Sequence, residues 1–384
     1  VRRIVFSRKS RRASVYLAAI CYVIVAWVLF EYVEGTMPVA LPRLLITLLL
    51  ACGVPVVVVL AWVVSGTSVR RRVAMASAGI VVFAVLVWLN NTALALSDGE
   101  PYLIAHRGVH QRMNPEHRDG FRCVARILPP THDYIENTAP SIRAAFDLGA
   151  RFVEIDIRQT RDEDFAVFHD DMLDCKTEAR GPVAARTMDE LRALDVGYGY
   201  FTEGGDHPLR GKGVGLMMSL HEILDAFPRM GFIIDVKFGN NEVLWTRLIE
   251  YLAARPAEDR RRIGVYGAAR GVERLRLALP ELIAGSRESA LICARNYIVI
   301  GWTGYTPRAC RRTMTGTYAS TGWLFWGWPN RFVERMERAG TIVIMRPQGQ
   351  TERRFAASIT AGYAGGIQTD SIESFRDWMA EEAE

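Results

Sequence analysis

Three uninterrupted apolar stretches in the first hundred residues limit what this chain can be more than any other feature. Val15–Val33 holds 19 residues with one charge, Glu31. Leu44–Val64 holds 21 with none, and Val73–Leu89 holds 17 and extends through Asn90, Asn91 and Thr92 to Leu96. A bilayer core about 30 Å thick needs about 20 apolar residues in a helix, so each stretch is long enough to cross it. Nothing amphipathic nearby is available to bury them in a globular core. Pro55 in the second is tolerated in a membrane helix. The first exceeds the roughly 7–15 apolar residues of a secretory signal, and two more follow it. The expected organisation is a membrane anchor over residues 1–97, with three transmembrane helices at about 15–33, 44–64 and 73–96, and a globular domain over 98–384.

Charge sets the orientation. Arg2, Arg3, Arg8, Lys9, Arg11 and Arg12 precede the first stretch, and Arg70, Arg71 and Arg72 separate the second from the third. Glu31 and Glu34 follow the first stretch, with Arg43 further on, and Asp98 and Glu100 follow the third. Basic flanks stay inside, so the amino terminus is expected in the cytoplasm and the large domain outside, periplasmic or extracellular. Residues 1–97 hold 10 Lys and Arg against 2 Asp and Glu, whereas 98–384 hold 37 against 40, a net −3. The chain's overall +5 is therefore no nucleic-acid-binding face. Cys21 and Cys52 lie in the apolar stretches. Cys123, Cys175, Cys293 and Cys310 lie beyond them without CxxC spacing, so no zinc site is expected. Outside the membrane one or two disulfides are permitted, in any of three connectivities.

From residue 102 onward, short β-branched or apolar runs alternate with helical patterns. Strands are expected at Tyr102–Ala105, Phe152–Ile157, Phe165–Phe168, Gly231–Val236, Ile263–Tyr266, Gly322–Trp326, Thr341–Met345 and Ile367–Thr369. Helices are expected at Ala139–Leu148, Ser219–Phe227, Glu242–Ala253 and Arg331–Arg338. Ser219 and Glu222 stand at capping-box spacing. Repeated βα units over this length fit a closed eight-stranded parallel barrel, the (β/α)8 TIM barrel, preceded by the three transmembrane helices. Neither G-x-G-x-x-G after the first strand nor G-x-x-x-x-G-K-[ST] occurs, which leaves a nucleotide fold without a motif.

Barrel chemistry sits at the carboxyl ends of strands. There the sequence places His106-Arg107-Gly108, Glu154 and Asp156, His169-Asp170, and Asp235 with Lys237. Glu154 and Asp156, two apart on a strand, point to one face. Two adjacent buried carboxylates repel unless a cation joins them, and a hard cation such as Mg²⁺ or Ca²⁺ answers that need, with Asp235 as a third ligand. The histidines suit general acid and base work, and Arg107 and Lys237 suit a phosphate oxyanion. Each pattern alone is weak, since E-x-D on a strand is most often a solvated face; the order of the set is what speaks.

Tyr102 to Asp370 resembles the glycerophosphodiester phosphodiesterase family. The resemblance rests on His106-Arg107-Gly108, Glu136-Asn137-Thr138 before a helix, Gly149-Ala150-x-x-x-Glu154-Ile155-Asp156 and Phe168-His169-Asp170. It continues through Leu194-Asp195-x-Gly197, Pro208-Leu209-Arg210-Gly211-Lys212-Gly213 and Gly365-Gly366-Ile367-x-Thr369-Asp370. It implies a barrel hydrolysing glycerophosphodiesters to sn-glycerol 3-phosphate and an alcohol. It also implies His106 and His169 as the acid–base pair, Glu154 and Asp156 as ligands of Ca²⁺ or Mg²⁺, Arg107 as a phosphate contact, and Glu136 as a metal- or glycerol-side carboxylate. The chain departs from the pattern where Asp235-Val236-Lys237 replaces Glu-x-Lys, at Met217-Met218-Ser219, and at Ile344-Met345-Arg346-Pro347. Another departure is an insertion at about 109–135, expected to roof the site and set the substrate.

Two other functions stay open: a lysophospholipase D acting on membrane lysolipids, and a binding module with an inactive site. His110, His117 and His132 are spaced too irregularly for a second metal and read as solvated loop residues. Trp323, Phe325, Trp326 and Trp328 read as packing rather than a cage for a choline-like cation.

Overall fold

The structure, a computed structural model, describes residues 100–113, 125–347, 351–359 and 363–381. The expected spans at 15–33, 44–64 and 73–96, with Cys21, Cys52, His117 and Cys123, lie outside the described residues. Among the described residues no helix is long and apolar enough to cross a membrane.

The strands run β1 Tyr102–His106, β2 Phe152–Gln159, β3 Phe165–Val167, β4 Gly231–Val236, β5 Ile263–Tyr266, β6 Ile283–Gly285, β7 Met314–Thr317, β8 Ile342–Met345 and β9 Gly366–Thr369. All but β3 are parallel, in the order β6-β5-β4-β2-β1-β9-β8-β7. Across the remaining gap the Ala284 N–H donates to the Arg312 carbonyl at 3.2 Å. The result is a nearly closed eight-stranded parallel barrel. Strands buried on both faces read as continuous apolar runs, and β8, with all four residues buried, is the plainest case.

The chain divides into two compact units. The larger, within Ser97–Ala290, Arg312–Gly322 and Gly340–Glu384, holds the barrel. Its helices include α1 Ala139–Asp147, α2 Met188–Arg192, α3 Leu220–Ala226 and α4 Glu242–Ala254. The expected capping box on α3 is present: Ser219 Oγ accepts from Glu222 N–H at 3.3 Å and Glu222 Oε2 from Ser219 N–H at 2.8 Å. An unforeseen one, Thr187 with Glu190, starts α2.

The smaller unit includes Leu291–Arg311 and Trp323–Ala339. Within it Cys293 and Cys310 are joined by a disulfide, and the Tyr297 hydroxyl donates to the Trp326 carbonyl at 2.8 Å. Phe325 stacks on Phe332 with ring centroids 4.6 Å apart, and Trp328 packs on the same ring. This is the packing expected of the late aromatic cluster, although Trp323 is 76% exposed.

Two strand expectations need correction. Gly322–Trp326 is not a strand; residues 319–324 form a 3₁₀ turn in which Thr321 Oγ1 donates to the Tyr318 carbonyl at 3.2 Å. Local bonding of this kind competes with a ladder. The strand of that repeat is β7, whose Gly316 and threonines hid it. The expected strand at Phe165–Phe168 is present as β3, Phe165–Val167, but it runs antiparallel to β2 as the return of a hairpin. His169 therefore does not end a barrel strand. The hairpin carries it back down to the level of Asp156, whose carbonyl accepts from Phe168 N–H at 3.0 Å.

Candidate active site

Alternate residues of a strand share a face, and along the barrel's inner faces that face changes from apolar to charged. Tyr102 and Ile104 precede His106, Phe152 precedes Glu154 and Asp156, and Ile233 precedes Asp235. Ile104, Ile233, Met314, Ile342 and Ile344 pack together as the floor, with Tyr102 and Phe152 against them. Strand register places His106 opposite Glu154 and Asp156 opposite Asp235. The sequence-predicted carboxylates thus meet at the carboxyl ends of their strands above a dry layer.

Carboxylate oxygens of Glu154, Asp156 and Asp235 lie within 4.8 Å of one another. Asp156 is fully buried and well supplied. Its Oδ2 accepts from Asn137 Nδ2 at 2.9 Å and lies 3.2 Å from Arg107 Nε, and its Oδ1 lies 3.0 Å from Lys237 Nζ. Burial alone would raise Asp156, but Arg107 and Lys237 outweigh it and hold the group far below the carboxylate range. Lys237 Nζ also donates to Asp235 Oδ2 at 2.5 Å. Glu154 is the exception. Burial, then Asp156 and Asp235, push it well above its ordinary value, and its buried Oε2 has no hydrogen-bond partner. A buried acceptor left over among three convergent carboxylates is what an oxygen-seeking divalent cation would satisfy, so the donor set fits one.

Both histidines are anchored by carboxylates. His169 Nδ1 is 2.7 Å from Asp170 Oδ1. His106 Nδ1 is 2.5 Å from Asp370 Oδ1, and its Nε2 is 3.8 Å from Glu154 Oε2. The turn after His106 accounts for the motif that follows. Arg107 and Gly108 both take positive φ, 63° and 82°. A Cβ on Gly108 would run into Ser141 of α1, so only glycine fits. The turn leaves Arg107 Nη1 3.2 Å from Glu136 Oε1.

Glu136 lies in the loop that leads into α1, and its main partner was not foreseen. Lys176, 3% exposed, donates to Glu136 Oε1 and lies 3.9 Å from Asp170 Oδ2. Burial would raise Glu136, yet Lys176 and then Arg107 hold it well below its ordinary value. Lys176 links the Glu136–Arg107 and Asp170–His169 pairs, and a lone lysine in a loop gives no sequence signal for that. Asp370 had a signal, since it follows the last strand as the other site residues follow theirs. Asp195 is structural: its carboxylate accepts from the N–H groups of Gly197 and Gly213 at 2.9 Å each and of Gly211 at 2.5 Å.

The expectation of solvated insertion histidines fails for His110. It is 6% exposed, and its Nε2 is 3.6 Å from Asp370 Oδ1. The turn at Arg107-Gly108 folds it back beside His106. His132 lies apart from it and pairs with Glu373 at 3.1 Å.

Fold and site together give an α/β barrel with a carboxylate cluster and two carboxylate-anchored histidines at the mouth. Residues 106–248 match the model of the glycerophosphoryl diester phosphodiesterase family. Curated relatives include glycerophosphodiester phosphodiesterases of Caldanaerobacter subterraneus subsp. tengcongensis and Bacillus subtilis. The first is 28% identical over 119 residues, covering 30% of this chain and 45% of the relative. The second is 34% identical over 119 residues, covering 29% and 40%. The chain thus spans less than half the length of these relatives. Among solved structures, the glycerophosphoryl diester phosphodiesterase domain of a Mycobacterium tuberculosis protein superposes with TM-score 0.51 at 18% identity, covering 73% of this chain and 99% of that one. An Oleispira antarctica phosphodiesterase in complex with the product sn-glycerol-3-phosphate gives TM-score 0.50 at 18% identity, covering 73% and 97%. The structural likeness bears on the fold alone. The sequence likeness to the family and to these relatives is confined to part of the chain.

Proposed function

We propose that residues 98–384 hydrolyse glycerophosphodiesters to sn-glycerol 3-phosphate and an alcohol, with a divalent cation, Ca²⁺ or Mg²⁺, held by Glu154, Asp156 and Asp235. The observation that carries this reading is the convergence of those three carboxylates, with a buried oxygen of Glu154 and one of Asp156 left without a hydrogen bond. When bound, the cation supplies electrostatic stabilisation of charge developing on the phosphoryl oxygens. Arg107 and Lys237 add donors for the same oxygens. Glu136 keeps Arg107 in place and stands on the glycerol side. With each Nδ1 tied to a carboxylate, His106 and His169 are left with Nε2 for the reaction. His169 takes the proton of the attacking water as its oxygen bonds to phosphorus. His106 gives a proton to the leaving alkoxide as the phosphorus–oxygen bond breaks.

The amino-terminal 97 residues anchor this domain through three spans, with the catalytic part on the extracytoplasmic side, where lipid-derived diesters are within reach. Protease added outside sealed cells should then cleave the domain; full protection would place it inside.

Choline release from glycerophosphocholine and from lysophosphatidylcholine tests the substrate. Release from the soluble diester, lost in His106→Ala, is the expected result. Release from the lysolipid alone would favour a lysophospholipase D, and release from neither, with cation still bound, an inactive binding module.

A further inference from the structure

We propose that Asp370 and His110 are positioning residues for His106: Asp370 accepts a hydrogen bond from the Nδ1–H of His106, and His110 holds Asp370 in the rotamer that does so. The proposal rests on the phosphodiesterase reading of His106 and adds two residues to which that reading gives no part.

Strand register brings the three together. β9 lies beside β1 with Thr369 opposite Ala105, so the next residue of each strand, Asp370 and His106, meet at the rim. There Asp370 Oδ1 comes within 2.5 Å of His106 Nδ1. A carboxylate on a rim does not keep such a position unaided, and the Asp370 side chain is 43% exposed. Its backbone is braced from below. Glu352 Oε2 accepts from Thr369 Oγ1 at 2.6 Å, and Glu352 Oε1 accepts from Asp370 N–H at 3.4 Å.

The side chain is braced by His110. Nδ1–H of that ring donates to the Gln111 carbonyl at 2.9 Å. The Gln111 amide in turn donates to the carbonyls of His132 and Tyr134, at 2.8 and 2.9 Å. With Nδ1 committed, Nε2 is the ring's remaining polar atom, and it is buried without a hydrogen bond. What it faces, at 3.6 Å, is the same Asp370 Oδ1 that serves His106. That separation is too long for a hydrogen bond but short for an electrostatic contact. A buried imidazole nitrogen with no partner is costly, and facing an anion offsets that cost. Burial alone would lower His110, but Asp370 outweighs it and raises the group. Burial would likewise raise Asp370, yet His106 and then His110 draw it well below its ordinary value. The consequence for His106 is a fixed tautomer and ring plane, with Nε2 turned to the side where Glu154 stands.

The test is a double-mutant cycle on the full chain with glycerophosphocholine. Asp370→Asn should lower kcat by about 10²-fold, within the usual range for acid–base groups, with KM little changed. His110→Gln should lower it by roughly tenfold. In a His106→Ala background neither should lower it further, because a residue acting through His106 has nothing left to act on. Equal losses in both backgrounds would indicate a merely structural part and overturn the proposal, as would unchanged kcat in both single variants. Full activity in His106→Ala would instead overturn the reading beneath it. Imidazole ¹⁵N shifts give a readout that needs no turnover: Nδ1 of His106 should carry a proton in the wild type, whatever the state of Nε2. An Nδ1 without a proton there would overturn the proposal even if the variants failed to fold.

Discussion

Lys176→Met removes a cation from a place where water cannot replace it. The side chains of Lys176 and Glu136 are 3% and 5% exposed, and after the change the Arg107 contact at 3.2 Å is the salt bridge left to Glu136 among the described residues. Breaking a buried pair by removing one partner costs about 3–5 kcal/mol, since the other charge is left uncompensated. An attraction of about 4 kcal/mol at 4 Å and an effective dielectric of 20 agrees with that scale. For a domain of this size the loss corresponds to a fall in Tm of roughly 5–15 °C. The sign with pH is also fixed. In the fold Glu136 lies below its ordinary value, so its contribution is present above about pH 4.3 and lost as pH falls through the folded value. The gap between wild type and Lys176→Met should therefore be full at neutral pH and narrow in acid. Adding Glu136→Gln to Lys176→Met should recover part of the loss, because the stranded charge goes with it. Scanning calorimetry of the three variants measures this. A loss below about 1 kcal/mol at neutral pH, or a double variant worse than the single, would refute the reasoning.

Four further outcomes are expected. His169→Ala should lower kcat by about 10²–10⁴-fold, read in initial rates on glycerophosphocholine. Glu154→Gln should abolish or greatly weaken binding of Ca²⁺ or Mg²⁺ in titration calorimetry; unchanged affinity would remove Glu154 from the ligand set. Gly108→Ala, at φ 82° with Ser141 in the way, should cost at least about 1–3 kcal/mol in urea unfolding. Glu352, raised to about 7 by burial and then by Asp370, makes the fold bind an extra proton between about pH 4.3 and 7. Stability should fall as pH rises through that window, by up to about 3 kcal/mol, and Glu352→Gln should remove that slope.

Much of the site was legible because two residues apart on a strand means one face. That rule put Glu154 and Asp156 together, the place of Asp235 at another strand's carboxyl end added the third carboxylate, and the register of β2 with β4 completes the arrangement. The parallel barrel was legible from strands such as β4, apolar but for Asp235, and β8, apolar throughout. β6 and β7 were not, because three residues ending in glycine, and a Met-Thr-Gly-Thr run, carry too little apolar signal. His169 was found for a partly mistaken reason. Its strand exists but runs the other way, and nothing in four apolar residues distinguishes a barrel strand from a hairpin return. Lys176 and His110 escaped because burial of a charged or polar loop residue depends on what packs over it. The main partner of Lys176, Glu136, is 40 residues away in sequence.

The most direct test of the central claim is ³¹P NMR of the full chain with glycerophosphocholine, with and without added Ca²⁺ or Mg²⁺, beside the Glu154→Gln variant. A phosphomonoester resonance should grow only with cation present and only in the wild type. Equal growth in chelator or in Glu154→Gln, or no phosphomonoester from any glycerophosphodiester, would contradict a cation-dependent phosphodiesterase built on Glu154, Asp156 and Asp235.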